Sequence, residues 1–367
     1  MRRAMRPDTF LVLLALLLFA SMFLSLVTGV IAVSFEDAFQ AFTSTFSDNT
    51  ALNHSQQQAI VVSIRLPRIL LAVFVGAGMA VCGAAMQGLF KNGLADPALI
   101  GVSGGASLGA SVAILLSSTI LASSSFSNGI FENALSQFDE AHYILAHKYL
   151  VSSMAFLGGL GATAMVYRLG ASSSGMSVAT MLLAGIAITA LAGAFSNLCT
   201  YLADDIALRR MSIWRMGSMS SADWPDLMVA GSFIGFVLVV MPRFGRVLNA
   251  LLLGESEARH LGFNVSAVKW QLIALTALAM GAAVSSAGVI GFVGLVVPHI
   301  VRMIIGPDHR YLIPGSMLLG ATLLVLADLG ARTFLAPEEL PVGIITAIIG
   351  APFFITLLLK QRRLLNI

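Results

Sequence analysis

The sequence predicts an all-α polytopic membrane protein with about ten transmembrane helices. Composition is the first observation behind this. Hydrophobic residues make up 57% of the chain and charged residues 11%, against about 45–50% and about 25% in soluble domains. A soluble fold of 367 residues would need more charge than this to cover its outside. The second observation is spacing: no charge interrupts the runs between Arg68 and Lys91, Lys148 and Arg168, Asp226 and Arg243, or Glu339 and Lys360. Each is about the 20 apolar residues that cross a hydrocarbon core. The third is sidedness. With the N-terminus cytoplasmic and spans alternating, 14 of the 21 Lys and Arg residues fall inside, as the positive-inside rule requires, and both termini are cytoplasmic.

The spans read as 10–33, 67–90, 98–121, 150–168, 178–200, 228–248, 268–285, 288–305, 312–331 and 342–360. Arg2, Arg3 and Arg6 precede a Leu-rich run that continues to Val33. That is longer than a signal h-region, so the first span is expected to be retained. An outer loop over about 34–64 carries Glu36, Asp37 and Asp48, and a second over about 122–149 is Ser-rich before Asp139, Glu140, His142 and His147. The His142/His147 spacing of five does not set both rings on one helical face; the loop reads as solvated, with a haem or metal ligand as the alternative. The seventh and eighth spans are separated because residues 268–305 as one straight helix would measure about 57 Å at 1.5 Å per residue. Ser285–Gly288 is the expected turn, and the even count it gives agrees with the basic C-terminus. Glycine patches such as Gly76–Gly78, Gly83–Ala85 and Gly158–Gly161 are expected to let helices approach closely. With no repeat or linker in view, residues 1–367 read as a single transmembrane domain.

Several chemistries are missing. The four lysines stand in the contexts Lys91-Asn, Lys148-Tyr, Lys269-Trp and Lys360-Gln, none in a phosphate-binding G-x-x-x-x-G-K-[ST] loop. No hydrolase or metal-binding motif appears, so no catalytic residue, metal site or cofactor is expected in this chain. Cys82 and Cys199 lie in separate apolar segments and read as small packing residues. Basic residues form no stripe apart from the membrane flanks, so nucleic-acid binding is not expected. Ionisable groups within the spans are scarce, Asp328 being the main one, which disfavours an ion-coupled secondary transporter. The energy source is expected in another subunit.

Four ordered stretches are informative together: Arg65-Leu-Pro-Arg68; Gln87–Pro97 with Gly101–Gly105; Leu253–Gly262; and Gly288–His299, continuing to Asp308-His-Arg310 and Glu339–Gly343. Across residues 65 to 360 this order resembles the FecCD family, the permease subunits of ABC importers for iron-siderophores, haem and cobalamin. One departure is Asn92-Gly93 where the family commonly has Asn-Pro. The resemblance implies a type II ABC importer permease fold in the bacterial inner membrane, working as a homodimer with two cytoplasmic ATPase subunits, which would hold the ATP and Mg, and a periplasmic binding protein.

By resemblance, a coupling loop over about 249–267 docks into the ATPase. Gly254 and Gly262 would permit its tight turns, Glu255 and Arg259 would be its charged groups, and Ala258 and Leu261 would present the contact face. Arg65, Arg68 and Arg332 would form pockets for glutamates of the binding protein, with Asp328 holding Arg332 as an i,i+4 pair; interfacial snorkelling is the plainer alternative. Residues 200–218, with Arg209, Arg210 and Trp214, resemble haem permeases more than cobalamin ones, and are expected at the pore mouth. Haem or another iron complex is therefore the expected cargo, with ferric siderophore or cobalamin as alternatives.

Overall fold

The structure, a computed structural model, describes residues 6–29, 60–124, 140–172 and 175–364. Most of the outer loop expected over 34–64 therefore lies outside the described residues, as do residues 125–139 of the second loop and the side chain of His142. Apart from one hairpin, the described chain is helical. This is the form in which a backbone can enter hydrocarbon with its polar groups satisfied.

The chain divides into two compact units. The larger comprises Met1–Pro97, Gly217–Ala283 and Ile290–Ile367. Its helices are α1 (Pro7–Val27) and α2 (Leu66–Leu89, entered through a π-turn at Val61–Arg65), and then, further along the chain, α7 to α13. α2 is the core, buried along nearly its whole length, with α7 (Trp224–Val240), α11 (Val293–Ile305) and α12 (His309–Thr333) packed against it. Its glycines make this packing close. A Cβ on Gly76 would strike the carbonyl oxygen of Gly320 in α12, and one on Gly83 the carbonyl oxygen of Gly294 in α11. These contacts are backbone on backbone, the use of small residues expected where lipid supplies no hydrophobic drive between helices.

The smaller unit comprises Ala98–Met216 and Val284–Val289. It holds α3 (Val102–Ser124), α4 (Glu140–Gly170), the hairpin β1 (Ala171–Ser172) and β2 (Gly175–Met176), α5 (Val178–Leu202) and α6 (Asp205–Met216). α3 and α4 cross where Gly105 meets Gly158, again at backbone contact. α5 buries only Met181, Gly185, Ala192 and Ser196, leaving Leu183, Leu191 and Leu198 exposed. A helix apolar on its exposed faces as well suits lipid or another apolar surface.

The remaining helices of the larger unit are α8 (Gly245–Leu253), α9 (Glu255–His260), α10 (Val265–Ala287, whose last turn belongs to the smaller unit) and α13 (Val342–Leu364). Seven described helical stretches are long and apolar enough to cross a membrane, and three shorter apolar ones lie at Val102–Ser118, Val293–Ile305 and Val342–Leu357. Two expected boundaries move. The segment 140–149, expected in a loop, belongs to α4, because hydropathy marks the membrane and not the end of the hydrogen-bonded ladder. The turn expected at Ser285–Gly288 falls later: α10 continues through Ala287, and residues 288–292, with Gly288 at φ +70° and Phe292 at φ +69°, separate it from α11.

Candidate functional site

In the larger unit α2 and α12 run antiparallel and gather polar side chains at both ends. From Arg68 to Gly88 is 20 residues, about 30 Å at 1.5 Å per residue, which is the thickness of the hydrocarbon core.

At the first end stand three arginines. Arg68 Nε donates to both carboxylate oxygens of Asp328 (3.0 and 3.1 Å) and Nη2 to Oδ1 (2.9 Å), while Nη1 donates to both oxygens of Glu339 (3.1 and 2.9 Å). Arg332 Nε lies 3.3 Å from Asp328 Oδ2, an ion pair without hydrogen-bond geometry. Arg332 Nη2 donates to Ser25 Oγ (2.5 Å) and Ser25 O (3.2 Å) on α1. Arg65 Nη1 donates to the carbonyls of Leu26 (2.6 Å) and Val27 (3.1 Å), where α1 ends.

The expected i,i+4 pairing of Asp328 with Arg332 is present, but Arg68 is the closer partner. Snorkelling does not describe these arginines: Arg65, Arg68 and Arg332 are 4%, 5% and 5% exposed. Each makes hydrogen bonds or ion pairs within its own chain rather than standing open for an incoming acid. A cavity of about 180 Å³ nevertheless reaches all three, lined also by Gly29, Ile60, Ile64 and Glu339. Three guanidiniums and the Glu339 carboxylate therefore line one cavity.

At the other end the chain makes an elbow. Gly254, at φ +144°, separates α8 from α9, and Gly262, at φ +86°, ends α9. Both backbone conformations favour glycine, as expected. Phe263 N donates to Ala258 O (3.1 Å) and Gly262 N to Arg259 O (2.9 Å), the paired bonds of a Schellman closure. Leu253, Leu261 and Arg259 are exposed. Ala258 is fully buried, so of the two residues expected to present a contact face only Leu261 does. The reason is that Leu261 lies past the end of α9, at its C-cap in the closure, and so does not share the inward face that Ala258 occupies. Glu255 Oε1 accepts from Lys269 Nζ on α10 at 2.6 Å.

Beside the elbow, Asn249 of α8 is held by the head of α12. Its Nδ2 donates to Asp308 Oδ1 (2.7 Å), and its Oδ1 accepts from the backbone N–H of His309 and from His309 Nδ1, both at 2.9 Å. An amide oxygen only accepts, so this contact places the His309 proton on Nδ1. The opposite nitrogen faces α2, where a Cβ on Gly88 would lie 2.5 Å away. Asp308 caps α12 and takes three hydrogen bonds from the Arg310 side chain. The Arg310 bond, followed by that from Asn249, holds the Asp308 carboxyl well below the usual carboxylate range, against the opposing effect of its partial burial.

In the smaller unit, Asp204 Oδ1 accepts from Ala207 N at the head of α6 (2.8 Å), and Ala207 and Met211 are buried. Arg209 and Arg210 are exposed and Trp214 is half-buried. Arg210 Nη1 lies 3.3 Å from His147 Nε2 of α4.

Sequence reasoning gave no role to Lys269, Asn249, His309 or Glu339, although His309 and Glu339 stand in the stretches that carry the resemblance. Lys269 stood where an ordinary interfacial lysine stands, and Asn249 meets His309 across 60 positions. Among the described residues, no group of three or more His, Cys, Asp or Glu side chains could hold a metal ion.

Known proteins resemble this chain along most of its length. The chain is 44% identical over 314 residues to the hemin transport system permease protein HmuU of Yersinia pestis, covering 86% of this chain and 87% of that one. It is 38% identical over 353 residues to the vitamin B12 import system permease protein BtuC of Vibrio vulnificus, covering 96% and 94%. A solved metal-chelate type ABC transporter in an inward-facing conformation matches with a TM-score of 0.78 and 30% identity, over 96% of this chain and 99% of that one. The profile of the FecCD transport family matches residues 16–360. From the first span to the last, then, this chain belongs to the FecCD transport family, the membrane-spanning permeases of ABC transporters.

Proposed function

We propose that this chain moves haem, or another iron chelate, inward across the bacterial inner membrane as half of a homodimeric pore. The observation that carries the cargo is the 44% identity to a hemin permease, against 38% to a vitamin B12 permease. Cobalamin is the second reading, because the latter likeness extends over 96% of the chain. The seven long apolar helices and three short ones make ten crossings within one permease domain, with both termini cytoplasmic. Exposed leucines on α5 suit contact with lipid and with the second copy.

The energy comes from two cytoplasmic ATPase subunits. The α8–α9 elbow is the docking element: Leu253 and Leu261 enter a groove on the ATPase, with Glu255 and Arg259 alongside and Gly254 and Gly262 setting the turns. At the other membrane face, the cavity lined by Arg65, Arg68 and Arg332 receives a carboxylate of a periplasmic binding protein. Charge-assisted Arg–carboxylate bonds fix orientation there. Arg209, Arg210 and Trp214 stand at the pore mouth, where a guanidinium can meet a haem propionate.

Uptake into reconstituted vesicles, comparing hemin with a ferric siderophore and cobalamin, tests the cargo. Hemin is the substrate expected to accumulate. Accumulation of cobalamin with no hemin uptake would overturn the haem reading and leave the permease reading intact.

A further inference from the structure

The elbow raises a mechanical problem. A six-residue helix between two glycine turns is a poor lever, because force applied to it is absorbed by rotation at its ends. Something must fix α9 to a longer element if its movement is to reach the pore. Among the described residues, the Lys269–Glu255 pair is a direct link of this kind, and its position is unexpected for stability alone. Lys269 is 4% exposed, in the second turn of α10, where a methionine would fill the same volume. Burying an ammonium is unfavourable unless it is paired, and such pairs are often no more stabilising than apolar residues of like size. The pair it makes is with Glu255, the first residue of α9, whose side chain is 41% exposed.

The neighbouring helix is held differently. α8 is tied through Asn249 to Asp308 and His309, at the head of α12. α12 is in turn packed backbone to backbone on α2 at Gly76 and Gly320. Gly254 therefore sits between a segment anchored to the rigid α2–α12 frame and one hung on α10. α10 runs unbroken from Val265 to Ala287, and residues 288–292 lead from it into α11.

We propose that Lys269 is the positioning residue that turns movement of α9 into movement of α10, with Asn249 holding α8 still. The inference rests on the reading of α9 as the ATPase-docking helix. Docking also strengthens the link. A groove closing over Leu253 and Leu261 removes water from the half-exposed Glu255 carboxylate, and the attraction between the two charges rises as the local dielectric falls.

The test uses the full chain assembled with its ATPase in proteoliposomes, comparing Lys269→Met, Lys269→Arg and the swap of Lys269→Glu with Glu255→Lys. The first readout is hemin moved per ATP hydrolysed. The second needs no cargo: nitroxides at two exposed positions, Trp270 on α10 and Arg243 before α8, report by pulsed EPR how far α10 shifts on ATP binding, with Cys82 and Cys199 replaced by alanine. Lys269→Met is expected to assemble and hydrolyse ATP while losing the shift and about tenfold in hemin per ATP, within the usual range of site-to-site coupling. Lys269→Arg or the swap is expected to restore both. A wild-type shift in Lys269→Met overturns the proposal. So does loss of assembly in Lys269→Met with no recovery in either rescue variant, which would make the pair a structural brace. Failure of the unaltered chain to bind any ATPase would instead overturn the docking reading itself.

Discussion

Neutralising Asp328 should cost far more than neutralising Glu339, although both carboxylates face Arg68. Asp328 is 1% exposed, takes three hydrogen bonds of 2.9–3.1 Å from Arg68, and lies 3.3 Å from Arg332. Asp328→Asn leaves three guanidiniums facing one remaining acid, two of them beside a group that no longer carries charge. Breaking a buried pair by removing one partner costs about 3–5 kcal/mol, because the other charge stays behind. Glu339 makes two bonds, but its side chain is 34% exposed, so water replaces much of what Glu339→Gln removes, and about 0–1 kcal/mol is expected. The thermal midpoints of the purified variants in detergent give the order directly. Pairing Asp328→Leu with Arg68→Met should recover only part of the loss, since an apolar pair replaces both charges but Arg332 still lacks its carboxylate. Equal midpoints for Asp328→Asn and Glu339→Gln would refute the view that burial decides these interactions.

Helix packing and acid stability give two further expectations. Gly320→Val places a side chain on Ala80 and on the backbone of Gly76, and overpacking of this kind costs about 1–3 kcal/mol. Gly161→Val, with nothing within 4 Å of its Cβ, should leave the midpoint nearly unchanged, and equal effects would count against the close α2–α12 crossing. Asp308 has a folded-state pKa depressed below its ordinary 3.8. Its contribution is therefore fully present above that value and is lost as pH falls through the folded one. The midpoint should drop on acidification below about pH 4, and Asp308→Asn should flatten that part of the profile.

Most of the spans were legible because the membrane imposes one length and one chemistry on each of them. Hydropathy located α2, α5 and α12 closely. It failed at α4, whose first ten residues are polar enough to resemble a loop, and at α10, where small residues at Ser285 and Ser286 resembled a turn that Gly288 makes. The arginines were legible as a group but not as a network: nothing in the local sequence says that Arg68 reaches Asp328 across 260 positions. Lys269 was hidden for the opposite reason, since a lysine near the end of a span is what snorkelling predicts, and only its burial against Glu255 distinguishes it. The glycine patches were read correctly at Gly76, Gly83 and Gly158, because close packing needs only the absence of a side chain, but Gly161 of the third patch meets nothing within 4 Å.

In the proposed mechanism an ATPase drives this chain from the cytoplasmic face. The direct measurement is uptake by vesicles containing the chain with and without its ATPase and ATP, in the absence of any ion gradient. The account predicts hemin accumulation that requires both. Uptake without the ATPase, driven by an imposed proton or sodium gradient, would contradict it.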